Sequence, residues 1–507
     1  MTGTRPVDPI EAKEKRASNR PAPLLIETIP LEGREPRALF DRLLAQTGWK
    51  GSAALLEGMP GGWFDGRFSL LAGDPFATFE SKGNVARFTP LEEEGEAVVY
   101  RSGEVLAHLQ GWLDRFHSSK PEGALSEIPF ANGGTIGFFS YDLIAQWERI
   151  PAPQSENRSF PDLFLLFINH FAVIDHETER IYLVYNPQPD LAMGRSAASA
   201  DKKGREKLAH LRARLAGSLP TGERDLLPAS PVIQHDLSRD DYVRLVIRAK
   251  EYIAAGDIFQ ANLSHRFRVA SAAPSVFSLY KRLRQINPSP FSAYLDLGQI
   301  EIASGSPERL VRVTPVEGER TVETRPIAGT RPRGRDPEED RQLVDALRRN
   351  EKERAEHLML VDLERNDLGK ICRYGSVQVD RLMGIEKYSH VVHLVSNIVG
   401  VLRSEVTTAE VIKALFPGGT ITGVPKIRCM EIIAELEKRA RGLYTGAIGY
   451  IDFAGEIDLN IAIRTWVRQG EELSFQVGAG IVADSDPERE YRETLQKAAA
   501  LLKAVES

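Results

Sequence analysis

The sequence predicts a mixed α/β fold. Apolar runs typical of strands, such as residues 163–175, alternate with longer amphipathic segments typical of helices, such as residues 338–368 and 488–506. With 507 residues, 42% of them hydrophobic, the chain can bury large cores and is long enough for two or three domain-sized units. These observations indicate a large globular protein in which sheets and helices pack together.

The chain divides into four parts by composition. Residues 1–22 are rich in Pro, Arg, Lys, Glu and Ser without periodicity, which predicts a mobile tail. Residues 23–186 contain mostly strand-like runs and predict a sheet-rich N-terminal part. Residues 187–235 surround one helical pattern with Gly, Pro and Ser, and predict a solvated connector. Residues 236–507 then alternate strands and helices, with the first helix expected to open at Asp240.

Charge and cysteine content exclude several classes of function. The 65 basic and 71 acidic residues give a net charge of −6, so a general attraction to nucleic acid or to an anionic membrane is not expected. The two cysteines, Cys372 and Cys429, are too few for a disulfide framework and have no metal-binding spacing. No apolar run reaches transmembrane length, and the first residues lack the apolar core of a signal peptide. We therefore expect a cytoplasmic protein with reduced cysteines that acts on small molecules.

Two segments each carry a pair of glutamates one helical turn apart. The segment "EKERAEHLML" contains Glu353 and Glu356, and "EREYRETLQKA" contains Glu490 and Glu493. Like charges at this spacing repel by roughly 0.2–0.5 kcal/mol per exposed pair, and a cation reverses that sign. An isolated pair of this kind is more often a solvated helix face, because glutamate favours helices and is usually exposed. Two pairs aimed at one point would form an oxygen-rich cage suited to Mg²⁺ and a carboxylate substrate.

Three further segments favour binding of an anion near these helices. Gly329 and Thr330, within "TRPIAGTRPRG", offer backbone and hydroxyl donors between arginines. The segment "FPGGTITGVPK" is typical of a glycine-rich loop entering a helix, so its amides and Lys426 could meet a carboxylate. The glycines of "GAGIVADSD" permit close approach of a ligand to the backbone. Each segment is a weak signal alone, and their combination and order are more specific.

On these segments the chain resembles the chorismate-utilising enzyme family, which includes anthranilate synthase component I and aminodeoxychorismate synthase component I. The resemblance is dense over residues 240–500 and looser over residues 24–185. It implies one interwoven α/β fold, in which two sheets form a sandwich flanked by helices. The dense part is carried by the motifs "GDIFQANLSHRF", "NPSPFSAYLDLG", "TRPIAGTRPRG", "EHLMLVDLERNDLGKI", "YSHVVHLVSNIVG", "FPGGTITGVPK", "IDLNIAIRTW" and "GAGIVADSDPEREYRET".

The resemblance also implies roles for individual residues. Glu356 and Glu493 would be the principal Mg²⁺ ligands, with Glu353 and Glu490 in support, and the metal would bind the ring carboxylate of chorismate. His393 matches the general base or acid beside the ring, although a lone strand histidine is more often a satisfied structural residue. The other catalytic candidates are Gln260 and Thr420, and the substrate-binding candidates are Gly329, Thr330, Tyr444, Arg464, Gly478, Ala479, Gly480 and Lys497.

Three positions bear on which reaction the chain performs. Gln260 stands where water-using members of the family carry a lysine base, and glutamine cannot act as that base, so ammonia is the expected nucleophile. Ala328 stands where many aminodeoxychorismate synthases place a nucleophilic lysine, which favours anthranilate synthase. Gly58 replaces the serine that anthranilate synthases carry for tryptophan feedback, which favours the other branch. We expect formation of 4-amino-4-deoxychorismate for 4-aminobenzoate and folate synthesis, with anthranilate and pyruvate for tryptophan synthesis as the alternative.

The chain contains no apparent ammonia source of its own. A glutamine amidotransferase needs a nucleophilic cysteine with a histidine partner, and neither Cys372 nor Cys429 has that context. We therefore expect a separate glutaminase subunit as the partner. A hypothesis of another class is a non-catalytic protein that binds chorismate or only activates a partner. Four residues that such a protein could have lost are all present and argue against it: Glu356, Glu493, His393 and Arg464.

Overall fold

The computed structural model describes residues 23–45, 49, 51–91, 95–121, 123–151, 159–216, 232–269, 275–316, 318–387 and 391–506. The expected tail at residues 1–22 and part of the expected connector, residues 217–231, lie outside these ranges.

The strands of the fold pair in antiparallel fashion. In chain order the strands are β1 Leu25–Pro30, β2 Ala53–Glu57, β3 Phe68–Gly73, β4 Ala77–Lys82, β5 Val85–Pro90, β6 Val98–Tyr100, β7 Gly134–Phe139, β8 Leu163–Ile168, β9 His170–Asp175, β10 Arg180–Tyr185, β11 Ile233–His235, β12 Gln260–Val269, β13 Phe291–Asp296, β14 Ile300–Ser306, β15 Arg309–Val316, β16 Glu319–Thr324, β17 Ile327–Pro332, β18 Gln378–Lys387, β19 Val391–Val401, β20 Gly423–Val424, β21 Ala447–Asp452, β22 Ile457–Ile461, β23 Thr465–Gln469 and β24 Glu472–Ile481.

Helices cover the outer faces of these strands. They are α1 Pro36–Ala45, α2 Val105–Arg115, α3 Gln188–Ala192, α4 Ala197–Ala216, α5 Arg239–Ala254, α6 Val276–Ile286, α7 Pro337–Arg349, α8 Glu351–Gly369, α9 Thr408–Leu415, α10 Lys426–Glu437 and α11 Pro487–Glu506. Short 3₁₀ turns lie at Trp63–Gly66, Gly123–Glu127, Tyr141–Gln146 and Gly419–Ile421.

The strands form two 12-stranded sheets, and each sheet draws on both halves of the chain. The first has the order β1-β10-β9-β3-β2-β13-β14-β23-β24-β12-β11, with β20 on β12. The second has the order β17-β19-β16-β15-β22-β21-β7-β8-β4-β5-β6, with β18 on β19. The halves join where β2 pairs with β13 and where β7 pairs with β21. The predicted two-sheet α/β fold flanked by helices is confirmed.

Apolar side chains fill the space between the sheets and beneath the helices. One core lies between the two sheets and includes Leu70 and Ile302 from the first, and Ile136 and Ile448 from the second. Three further apolar clusters lie beneath helices. The first lies under α2, α8 and α9, the second under α1, α4, α6 and α11, and the third under α5 and α10. Burial of such side chains stabilises the fold by roughly 25 cal/mol for each Å² of apolar surface.

One helix differs from the sequence prediction for its segment. Residues 197–216 belong to the segment expected to be a solvated connector, yet Leu208, Leu211 and Leu215 of α4 are buried. These leucines recur at helical spacing and pack in the same cluster as Ile181 and Leu183 of β10. The helix therefore covers the first sheet, and the prediction that this helix is solvated was wrong.

Two helix boundaries also differ from the prediction. The segment 338–368 forms two helices, because Asn350 leaves helical geometry with φ −71° and ψ 104° and its side chain accepts a hydrogen bond from the Glu353 amide. This is the behaviour of an N-cap residue. Helix α5 begins at Arg239 and not at Asp240, because Ser238 and Asp241 form a capping box. In the described part of the chain, no helix combines the length and the apolar character that crossing a membrane requires.

Candidate active site

The two glutamate helices, α8 and α11, converge beside strand β12. The amide nitrogen of buried Gln260, at the start of β12, lies 3.3 Å from Oε1 of Glu356 on α8. On α11, Glu493 forms an ion pair of 2.9 Å with Lys497, whose ammonium also donates to the Gly478 carbonyl at 3.1 Å. The helices therefore meet beside the adjacent strands β12 and β24 of the first sheet.

The carboxylates on the two helices interact electrostatically. Burial raises the pKa of the Glu356 carboxyl, the nearby ammonium of Lys352 opposes this, and the charges of Glu493, Glu353 and Glu490 raise the pKa further. Burial also raises the pKa of Glu490, against a hydrogen bond from Ser485, and the charge of Glu493 adds to the increase. Four carboxylates thus share one region, where a cation would relieve their repulsion.

One of the four glutamates, Glu353, also forms an ion pair with an arginine. Arg331 pairs with Oε1 of Glu353 at 2.8 Å, while Oε2 of Glu353 is buried and has no hydrogen-bond partner. Across the described ranges, no three acidic, histidine or cysteine side chains are grouped closely enough to hold an ion. The four glutamates nevertheless offer only oxygen atoms, which are the ligands that Mg²⁺ prefers. Oε2 of Glu353, which has no hydrogen-bond partner, is available to bind a cation. The residues present therefore fit this metal by chemistry and charge.

Strand β24 carries two glycines that pack closely against neighbouring residues of the site. A Cβ atom on Gly480 would lie 2.6 Å from the Gln260 amide nitrogen, and one on Gly478 would lie 2.7 Å from the Tyr444 hydroxyl. Any larger residue would displace these side chains, so glycine is required at both positions. Ala479, between them, points the other way into the apolar cluster beneath α5 and α10. Only its backbone can face the site.

Strand β17 pairs irregularly with β19, and this brings Gly329 beside helix α8. The register shifts between Ala328 and Thr330, and Gly329 has φ +63°. A Cβ atom there would lie 2.5 Å from Oε2 of Glu353. The left-handed backbone and the close approach both favour glycine. Thr330 pairs through its backbone with His393.

His393 is buried in β19 next to this bulge. Burial lowers the pKa of its imidazole to about 4, the charge of Arg464 lowers it further, and a hydrogen bond with the Gly329 backbone raises it. The ring is therefore neutral at physiological pH. A neutral imidazole can accept a proton, as a general base must.

Sequence reasoning missed Glu308, which lies between Arg464 and the turn that carries Thr420. Burial raises the pKa of the Glu308 carboxyl to about 7, while Thr420, the Ile327 backbone and the charge of Arg464 lower it. A carboxyl with a pKa near the working pH can both give and take a proton. In the sequence, Glu308 follows an apolar strand in "IEIASGSPERL". An acidic residue directly after such a strand is the feature that could have identified it as a candidate site residue.

A second buried acid lies behind Glu308. Burial raises the pKa of the Glu364 carboxyl to about 8, and the charges of Glu308 and Asp367 contribute to the increase. Asp367 is itself paired with Lys426 at 2.5 Å. From sequence, Lys426 could meet a ligand carboxylate; in the structure its ammonium is instead paired with this acid of the protein.

Arg441 connects several elements of the site and was also missed from sequence. Its guanidinium forms a buried ion pair with Glu437 at 2.7 Å and donates to the backbone carbonyls of Asn262 at 2.6 Å and Ile421 at 3.2 Å. It also lies 5.6 Å from the centre of the Tyr444 ring. Burial raises the pKa of the Tyr444 phenol, which therefore stays protonated and can donate a hydrogen bond.

Comparison with known proteins identifies the chain. The family model for chorismate binding enzymes matches residues 67–503. The protein belongs to this family. Aminodeoxychorismate synthase component 1 of Bacillus subtilis (strain 168) is 40% identical over 454 residues, which cover 89% of this chain and 91% of the relative. Anthranilate synthase component 1 of Thermus thermophilus is 42% identical over 440 residues, covering 87% and 89%.

Solved structures agree with the family assignment. Anthranilate synthase component I from Streptococcus pneumoniae TIGR4 superposes with a TM-score of 0.73 at 35% identity, covering 88% of this chain and 93% of that chain. The expected resemblance is therefore confirmed, and the chain is a chorismate-utilising enzyme. Relatives from both aminating branches match this family member with similar identity, so similarity alone does not separate the branches.

Proposed function

We propose that the protein is the large subunit of a chorismate-aminating synthase that converts chorismate and ammonia into 4-amino-4-deoxychorismate. The observation that carries the use of ammonia is Gln260, a buried amide 3.3 Å from Glu356, at the position where water-using members of the family carry a lysine. An amide has no basic nitrogen with which to deprotonate water. Ammonia needs no such activation, because its lone pair is nucleophilic as it stands. Gly58, in place of the serine of tryptophan feedback, favours this branch over anthranilate synthase.

The substrate's carboxylates would be held by groups that converge on the site. The Tyr444 phenol would donate a hydrogen bond to a carboxylate, and the glycines at 478 and 480 leave space for a close ligand. Arg464 is a partly buried cation whose backbone has φ +50°, an uncommon conformation for this residue type that fixes where its side chain begins. A guanidinium fork suits a carboxylate.

Mg²⁺ bound by Glu356 and Glu493, with Glu353 and Glu490 in support, would neutralise the ring carboxylate of chorismate. The chain's own groups supply proton transfer. Glu308, with a pKa of about 7, is suited to protonate the leaving hydroxyl. Neutral His393 is suited to accept a proton from the ring or from the attacking amine.

Ammonia would come from a glutaminase partner, since the relatives are named as component 1 of a synthase. Both cysteines, Cys372 and Cys429, are buried and unpaired, and burial raises the pKa of each thiol, which disfavours a nucleophilic role. Free thiols also fit a cytoplasmic location.

The second candidate is anthranilate synthase component I. Two observations favour it: Ala328, beside the Gly329 bulge, offers no covalent route, and the neutral imidazole of His393 is suited to act as a base for pyruvate elimination. Incubation of the purified protein with chorismate, Mg²⁺ and ammonium, with products resolved by chromatography and mass detection, distinguishes the two. An aminated product that keeps its pyruvyl group supports the proposal. Free anthranilate with pyruvate replaces it by the second candidate.

A further inference from the structure

Helix α8 is attached to the second sheet by a hydrogen bond next to a proposed metal ligand. His357 follows Glu356 directly and is fully buried, and its Nε2 lies 2.6 Å from the hydroxyl of Ser396 on β19. That hydroxyl also accepts a hydrogen bond of 2.9 Å from the Met383 amide. The serine is therefore held by the sheet on one side and holds the helix on the other.

Helix α11 is attached to the first sheet in the same way. Thr494 follows Glu493 directly and is fully buried, and its hydroxyl lies 2.8 Å from Nε2 of His265 on β12. The threonine hydroxyl donates its one proton to the Tyr491 carbonyl at 2.7 Å, so the His265 Nε2–H must be the donor to it. The histidine is thus held in a single tautomer, with its other ring nitrogen buried and without a partner.

We propose that these two bonds position the glutamates of α8 and α11 for a shared metal ion. The inference rests on the proposed function, because it takes Glu356 and Glu493 as ligands. Repulsion between carboxylates pushes the helices apart when no cation is bound. Apolar packing allows small sliding movements, whereas a short hydrogen bond fixes both distance and direction. Because consecutive residues of a helix are separated by a rise of about 1.5 Å, fixing one residue fixes the origin of the adjacent glutamate side chain.

The placement of these bonds distinguishes them from ordinary helix attachment. The described residues contain other bonds of this chemistry, and one joins Ser102 to His108 of α2 at 2.6 Å. Helix α2 carries none of the proposed ligands. The same chemistry therefore occurs away from the site and provides a matched control.

The test uses the full-length protein with Mn²⁺ alone as the probe, and measures bound ion through the loss of the free-ion electron paramagnetic resonance signal. Ser396→Ala and Thr494→Val each remove one hydroxyl, Thr494→Ser keeps it, and Ser102→Ala is the control. Outer groups that orient metal ligands typically contribute roughly 10–100-fold to affinity. We expect each of the first two variants to bind Mn²⁺ about tenfold more weakly, with Thr494→Ser and Ser102→Ala close to the parent.

Thermal melting of every variant separates positioning from stability. If Ser396→Ala and Thr494→Val melt at lower temperature than the parent and yet bind Mn²⁺ like the parent, the bonds are only structural and the inference is overturned while the metal site stands. If the parent binds no Mn²⁺, the metal assignment fails and the inference fails with it. Each hydroxyl is tested separately, so one folded variant is enough to decide.

Discussion

Replacing Glu364 with glutamine tests the buried acids behind the site. Burial raises the pKa of this carboxyl from its ordinary value of 4.5 to about 8 in the folded protein. Since the folded value lies above the unfolded one, the stability that protonation provides is complete below about pH 4.5 and is lost as the pH rises towards 8. The difference of about 3.5 between the two values, at about 1.36 kcal/mol for each unit, corresponds to about 5 kcal/mol.

Glutamine does not titrate, so Glu364→Gln should escape this loss. We expect the variant to be more stable than the parent by up to about 5 kcal/mol near pH 8, and to differ by no more than about 1 kcal/mol near pH 5. Urea unfolding at a series of pH values, followed by tryptophan fluorescence, measures the difference. Asp362→Asn, which removes an exposed carboxylate from the same helix, controls for the loss of one negative charge. Parallel pH profiles for the parent and Glu364→Gln would refute the reasoning.

Four further predictions concern the site and its surroundings. Glu356→Gln should lower turnover by about 100-fold at limiting Mg²⁺, because a metal supplies several kcal/mol of charge stabilisation; near-normal rates would remove Glu356 from the ligand set. Gly58→Ser should destabilise the protein by about 1–3 kcal/mol in thermal melting, because a Cβ atom there would lie 1.9 Å from the Phe68 carbonyl oxygen. The parent protein, which has Gly58, should turn over chorismate at an unchanged rate during a tryptophan titration. Inhibition at micromolar tryptophan would contradict this. Arg441→Met should lower the free energy of unfolding by about 3–5 kcal/mol, because it leaves buried Glu437 unpaired. Adding Glu437→Gln to this variant should recover part of that loss. Equal melting temperatures of the single and double variants would show that the pair is not coupled.

Local sequence patterns predicted many of the helices and strands correctly, because periodicity and capping act over a few residues. The glutamates at one-turn spacing do lie on helices, and the glycines at 478 and 480 do lie on a strand. The break at Asn350 was available in principle, since asparagine is a favoured N-cap residue. The long helical periodicity on both sides of it masked that signal.

Properties that depend on distant parts of the chain were not predictable in this way. The pKa of Glu308 is set by burial and by Thr420 and Arg464, both of which lie far from it along the chain. Lys426 is neutralised by Asp367, which belongs to another helix. A single sequence carries no direct record of such pairs, so the resemblance to known enzymes, and not local pattern, pointed to most of the candidate residues.

The pairing of β2 with β13 and of β7 with β21 has a consequence for how the protein is made. Leu55 pairs with Tyr294, and Ile136 pairs with Tyr450, so each partner strand is synthesised about 240 or 310 residues later. At roughly 5–20 residues per second, β2 waits about 12–48 s on the ribosome with an apolar, unpaired edge. Nascent chains of this protein are therefore expected to need chaperone cover, and fragments that end before β13 are expected to aggregate.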